Sequence, residues 1–314
     1  MVVKITQIIL SPILALVVGV FFLGLARKIT ARIHWRYGPP LIQPVIDMIR
    51  LFYQKSVSHG SIFDLGLILS LAGSIVVVLF LPFGRICPLS GSGGLLVILY
   101  IMLLAPLGIA LSGGQGANPN ISIGISRKLI LSLGYEVPLL FVLLAVMTRY
   151  KTISIIEVVS AQQSTGWSLI SFPLFLSGLS YFLILPAILG IRPFDMSSAP
   201  QEISSGPMVE YGGKYLALAT IEHAFVLFIS IALFVNLFLG GWGLWGVFGS
   251  VMNTAWGVIL GVIIFLIKMC IVFIIGLFVN AVFPRFRIEQ AIKYLWKWPT
   301  LLAFLGLIIT LIVK

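Results

Sequence analysis

The sequence predicts an all-α integral membrane protein of about eight transmembrane helices, on three observations. Of its 314 residues, 60% are hydrophobic and 9% charged, which leaves no room for an ordinary soluble domain. Apolar runs of roughly bilayer length recur along the whole chain, with the charges gathered in the connections between them. Those connections alternate between Lys/Arg-rich and Lys/Arg-poor, as a chain oriented in a bilayer requires. The whole of 1–314 is therefore read as a single polytopic membrane domain.

Eight spans are expected, at residues 5–25, 62–82, 95–111, 129–148, 169–189, 215–239, 256–279 and 301–313. The first run is too long for a signal peptide and lacks a small-residue cleavage site, so it reads as a retained span. Fourteen of the 20 Lys and Arg residues lie in one set of connections and five in the other, with Lys268 inside a span. The bias places connections 27–60, 191–214 and 282–298 in the cytoplasm and both termini outside the cell membrane. The formal net charge of +11 thus reflects orientation, and no nucleic-acid partner is expected. Cys87 and Cys270 are far apart and form no Cys-x-x-Cys. No cofactor is expected on this chain, and any redox centre belongs to a partner.

In connection 27–60, Gly38-Pro39-Pro40 breaks the chain and Pro44 suits the first turn of a new helix. Ile46, Ile49, Phe52 and Tyr53 then recur at helical spacing, with Asp47, Arg50 and Gln54 between them. This is an amphipathic helix lying in the interface plane; a plain basic membrane anchor is the simpler reading. Connection 191–214 carries Asp195, Glu202 and Glu210, three of the nine carboxylates. Its Phe194, Met196, Ile203, Met208 and Tyr211 favour docking over disorder. Arg192, Asp195, Glu202 and Glu210 can serve simply to pack loops by pairing with Arg36, Arg285 or Arg287, or can form a platform for a partner. The two uses are compatible.

Within the spans, Glu136 lies eight residues past Lys128 and Glu222 eight past Lys214, so both are expected about 12 Å into the membrane at ~1.5 Å per residue. An ionisable group in hydrocarbon is costly unless paired or hydrated, which makes both acids functional candidates. Pro138 removes an amide donor beside Glu136 and leaves polar backbone next to the acid. His223 points about 100° away from Glu222 around the helix and reads as a relay member or interhelical donor. No second His or Cys stands at metal-ligand spacing. Lys268 is open between a counter-ion, a relay lysine and snorkelling along a neighbouring helix. Glu157 is expected in a solvated outer loop, and Gly91–Gly94 and Gly113–Gly116 read as turns. Gly240-Gly241-Trp242-Gly243 with Trp245 and Trp256 reads as an outer aromatic belt.

Three ordered blocks carry a family resemblance across almost the whole chain. They are Ala26 to Lys55 with Gly38-Pro39-Pro40; Arg192-Pro193-Phe194-Asp195 through Glu202, Gly206 and Glu210-Tyr211-Gly212-Gly213; and Phe283-Pro284-Arg285-Phe286-Arg287 with Gln290. Together they resemble the H-subunit family of respiratory complex I. They are still more similar to the counterpart subunit of energy-converting membrane-bound NiFe hydrogenases and related sulfur reductases, in which Gly-Pro-Pro replaces Gly-Pro-Asn. The chain departs from the family pattern at Ala26, where an acid is usual, and at Met196 to Pro200, where two loop carboxylates are absent. These departures favour the hydrogenase-like or sulfur-reducing branch over a quinone reductase.

The resemblance implies a non-catalytic membrane subunit of a multi-subunit oxidoreductase that translocates protons or other ions. It implies a lateral proton path through Glu136 and Glu222, joined by Glu210, His223 and Lys268. Arg36, Asp47, Arg192, Asp195, Glu202, Arg285 and Arg287 then form the coupling and docking loops. The implied partners are a large NiFe-hydrogenase-like subunit, a small subunit with a 4Fe-4S cluster, and antiporter-like membrane subunits, with ferredoxin as donor. The H-type subunit of an NADH-quinone oxidoreductase, lining a quinone cavity, is the alternative in the same class. A stand-alone secondary transporter is the alternative from another, and it would place its substrate site at mid-membrane between inverted repeats.

Overall fold

The computed structural model describes residues 2–84, 86–89, 94–116, 118–243 and 255–312, and helices dominate it. In chain order they are α1 (Val2–Ile33), α2 (Gln43–Tyr53), α3 (Ser61–Phe80), α4 (Leu95–Met102), α5 (Leu104–Gly113) and α6 (Pro119–Tyr150). There follow α7 (Ile155–Thr165), α8 (Phe172–Ile188), α9 (Pro200–Ile203), α10 (Lys214–Phe238), α11 (Ala255–Val282) and α12 (Ile288–Ile312). Among the described residues, seven helical segments are long and apolar enough to cross a membrane, and α8 is a shorter apolar helix in the place of the expected fifth span.

The helix α10 forms the axis, buried along nearly its whole second half from Ala224 to Phe238. It packs against α1, α2, α3, α8 and α11, while α12 lies against α6 and α8. The apolar segment 95–113 is one span broken into α4 and α5 at Leu103. Pro106 explains the break, because its ring cannot donate to the carbonyl four residues back, at Met102.

Several boundaries differ from the sequence expectation. The first connection starts later, since α1 runs to Ile33, and α12 begins at Ile288, so most of 282–298 is helix. Its Lys293 and Lys297 had marked that stretch as loop, yet Ala291 and Leu295 sit one turn apart and bury against the core. Likewise α6 starts at Pro119, a good first-turn residue, with the Asn118 side chain capping the Asn120 amide at 3.0 Å. Glu157 is exposed, but in the first turn of α7 and not in a loop. Trp242 is buried at 8% exposure and belongs to the core, not to a belt. Trp245 and the Trp256 side chain, like Gly91–Gly93, lie outside the described residues.

At one end of the bundle, here the α2 end, three loops and the first turns of α6 come together. The segment 191–213 is docked: Phe194, Met196, Ile203 and Tyr211 are each at most 3% exposed. The Phe286 amide donates to the Pro193 carbonyl at 2.9 Å, joining the loop before α12 to it. Gly124 of α6 permits the closest approach, because a Cβ there would lie 2.7 Å from Pro207 Cδ and 3.0 Å from the Ser197 carbonyl oxygen. Met48 and Pro44 of α2 are buried, whereas Ile46, Ile49 and Tyr53 are 51, 53 and 87% exposed on its outward side. That face suits lipid.

Candidate functional site

Beneath the docked loop lies a cavity of about 220 Å³ lined by α3, α5, α6, α10 and the loop itself. Glu222, at 3% exposure, and His223 both face it from α10, and Lys128 and Tyr135 face it from α6. Adjacent residues of α10 thus share one cavity despite the 100° between them, because it wraps around the helix. Ser197, Ser198 and Met208 close it on the loop side, and Ser74 with Pro106 on the other. Lys128 is the cation whose field acts on Glu222. Sequence counting treated Lys128 as a flanking charge, but it stands nine residues inside α6 and turns inward.

Glu136 is not in this cavity. It borders a separate void of about 10 Å³, which is room for about one water, together with Met102, Leu103 and Leu139. Tyr135 and Met102 line both spaces and form the partition between them. The break between α4 and α5, at Leu103, falls at this void. The buried Oε1 of Glu136 has no hydrogen-bond partner among the described residues. An unsatisfied carboxyl oxygen beside a water-sized void is a place where a proton can be received.

The charged loop residues pair with one another, though not all with the partners expected. Asp195 accepts from Arg285 Nη2 at 2.8 Å, while its other oxygen accepts from the Ser198 hydroxyl. Glu202 pairs with Arg127 at 2.7 Å, and Arg127 also approaches the Met196 carbonyl at 3.4 Å. The Arg127 guanidinium holds the Glu202 carboxyl below its ordinary range. Glu210 stands 3.4 Å from His59 Nε2 and lines neither space. Asp47 takes Arg27 at 2.8 Å and Gln43 at 2.9 Å, which together hold its carboxyl low. Burial pushes the Tyr211 phenol up, and its hydroxyl reaches the Ile109 carbonyl at 3.5 Å.

Arg36 and Arg287 are exposed and enter none of these pairs; Arg36 lies between Trp35 and Tyr37, 98 and 91% exposed. Arg192 is exposed, with its backbone amide donating to Asn280 Oδ1 at 3.1 Å. Lys268 lies apart from the cavity. Its ammonium donates to the carbonyls of Leu239, Gly241 and Gly243 at 2.6, 3.0 and 2.6 Å and sits 5.1 Å from the Trp167 ring. It neither snorkels nor faces a carboxylate.

Sequence reading therefore missed Lys128, Tyr135, Arg127, Ser198 and His59. A usable signal existed for the first two: Lys128 and Tyr135 are seven residues apart, two helical turns on one face. Among the described residues no three His, Cys, Asp or Glu side chains cluster as a metal site.

Known proteins resemble this chain over almost its whole length. A family model described as NADH dehydrogenase matches residues 5–311. The H subunit of NADH-quinone oxidoreductase from Geobacillus thermodenitrificans is 28% identical, over 92% of this chain and 87% of that one. Hydrogenase-4 component C of Escherichia coli K12 is 30% identical, over 85% and 83%. A chain in the structure of the membrane-bound sulfane sulfur reductase, an archaeal respiratory membrane complex, superposes with a TM-score of 0.91 at 40% identity, covering 98% of this chain and 99% of that one.

Proposed function

Because the chain belongs to the NADH dehydrogenase family, we propose that it is the ion-coupling membrane subunit of a complex I-like assembly of the hydrogenase or sulfur-reductase type. The loops at the α2 end seat a hydrophilic arm, and the Glu222 cavity passes protons toward Glu136. One observation carries this reading. A buried acid and a half-buried cation, Glu222 and Lys128, share a cavity roofed by the same loop that bears Asp195 and Glu202.

The arm comprises a large NiFe-hydrogenase-like subunit and a small 4Fe-4S subunit, which hold the cofactors; ferredoxin is their donor, and antiporter-like subunits take the protons in the membrane. The α2 end faces the cytoplasm, consistent with the Lys/Arg bias. Trp35, Arg36 and Tyr37 project from that end and are the natural contacts for the arm.

Within the path, Glu222 and Lys128 exchange one proton across the cavity, with His223 beside them. Tyr135 and Met102 gate the step to Glu136. A proton crosses only when side-chain motion or a water opens that partition.

The test is ion pumping by the assembled complex in sealed vesicles. Glu222→Gln and Glu136→Gln should each abolish pumping while all subunits still co-purify; undiminished pumping by either variant refutes the path. A second reading, a quinone cavity, is favoured by the NADH-quinone oxidoreductase relative and by the apolar half of the cavity wall. A quinone photolabel attached to Ser198 or Met208 would establish it. A stand-alone transporter would instead run alone on purification.

A further inference from the structure

A second pocket, opposite in chemistry to the Glu222 cavity, opens between α8, α11, α12 and the loops at the α2 end. It holds about 180 Å³, and its walls include Phe182, Pro186, Pro193, Phe194, Phe286 and Tyr294. Phe194, Phe286 and Tyr294 form a mutual aromatic cluster with ring centroids 5.6 to 5.9 Å apart. Apart from the Tyr294 hydroxyl, no wall side chain can hydrogen-bond, so a polar solute gains nothing there. An apolar chain does.

The surroundings indicate which kind. At the mouth Phe283 is 50% exposed, and the neighbouring Val282 is 71% exposed. Along α12 from Tyr294, Trp296 and Trp298 are 58 and 53% exposed, with the Lys297 ammonium 5.0 Å from the Trp298 ring. Exposed Trp and Lys together mark headgroup depth in a bilayer. Three exposed cations stand in this zone: Arg192 directly before the wall residue Pro193, Lys293 directly before Tyr294, and Lys297. Glu289 is the acid on the same helix, one turn before Lys293, and Arg285 is already taken by Asp195 at 2.8 Å. The exposed residues flanking these wall residues in sequence are therefore net basic, beside an apolar slot.

We propose that this pocket binds one hydrocarbon chain of an anionic membrane phospholipid, with its phosphate held by Arg192 and Lys293. Two of its walls are the loops joined by the Phe286 amide and the Pro193 carbonyl. The lipid thus braces the contact that carries the Asp195–Arg285 pair.

The intact complex, reconstituted with diazirine-bearing phosphatidylglycerol or phosphatidylcholine, tests this by cross-link mapping. Wall peptides spanning 182–194 and 279–294 should label with the anionic probe more strongly, by about fivefold for each basic residue engaged. Arg192→Gln with Lys293→Gln should remove that preference and keep labelling. Leu183→Trp, which fills the slot, should suppress labelling by both probes, with co-purification of all subunits as the control for folding. Equal labelling by the two lipids in the unmodified complex overturns the headgroup assignment. Absence of label from the wall peptides, as a covering protein segment would cause, overturns the site.

Discussion

Lys268→Met separates a structural role for this buried lysine from a role in the proton path. In the native chain the ammonium, on a side chain 7% exposed, donates to three carbonyls just past the end of α10. Gly240 and Gly241, with φ of +69° and +53°, turn the backbone so that these carbonyls converge. The Leu239 carbonyl, at the C-cap, also stands at the negative end of the α10 dipole, where a cation is favoured. Methionine keeps the length and apolarity of the stem and deletes the donor. Hydrogen bonds between membrane helices are worth about 0.6–1.7 kcal/mol each, so three lost together cost about 2–5 kcal/mol. The expected outcome is a thermal midpoint lower by roughly 3–8 °C for this chain in the solubilised complex. Lys268→Ala, with room for a small guest, should recover part of the loss in methylammonium but not in tetramethylammonium, which cannot donate. Vesicles carrying Lys268→Met should still pump below the new midpoint. Abolished pumping with an unchanged midpoint would refute the clamp and make Lys268 a proton carrier.

Other outcomes follow from the loop end. Gly124→Val puts a branched side chain against Pro207 and the Ser197 carbonyl; overpacking of about 1–3 kcal/mol should lift the loop and speed limited proteolysis across 197–208. Asp195→Asn with Arg285→Gln, which removes the 2.8 Å pair between two of the loops, should loosen the hydrophilic arm, read as its release from washed membranes; full retention would count against this pair as part of the arm's seat. The Glu202 carboxyl is held below its ordinary value of 4.5 by Arg127. Stability from that pair is therefore present above this value and lost as pH falls through the lowered one, so proteolysis of the loop should not change between about pH 8 and 6 and should rise only in acid.

The positions of the spans were legible because a bilayer imposes one length and one composition on whatever crosses it. The docking of 191–213 was legible too, since Phe194, Met196, Ile203 and Tyr211 are too apolar to leave in water. What composition could not convey was which side of a helix faces what. Lys128 looks like any cation at the foot of a span, and its inward turn depends on α6 beginning nine residues earlier, at Pro119. Asp195 takes Arg285, one of the three arginines the sequence offered, but the partners of Glu202 and Glu210 depend on loop paths, so Arg127 and His59 stand where Arg36, Arg285 or Arg287 was expected. Trp242 has the composition of a belt residue, yet the turn at Gly240–Gly241 folds it inward.

The loop charges and the buried acid are joined by two short links, which under the proposed function let an event at one be felt at the other. Ser198 donates to Asp195 and lines the cavity, so a change in the Asp195–Arg285 pair moves a wall of the space that holds Glu222. Arg127 holds Glu202 on the outside of α6 while its neighbour Lys128 faces Glu222 on the inside. A pull on either acid therefore alters the polarity or the shape of the cavity without any long-range rearrangement. The two routes make different demands. The Ser198 route needs only rotation of a side chain and survives a rigid α6, whereas the Arg127 route needs α6 to turn. Such a turn also moves Tyr135, seven residues past Lys128, which stands in the partition to Glu136. The second route thus ties loop charge directly to the gate. Ser198→Ala should leave that gating intact, while Arg127→Gln should uncouple turnover from pumping; the reverse pattern would assign the coupling to the serine.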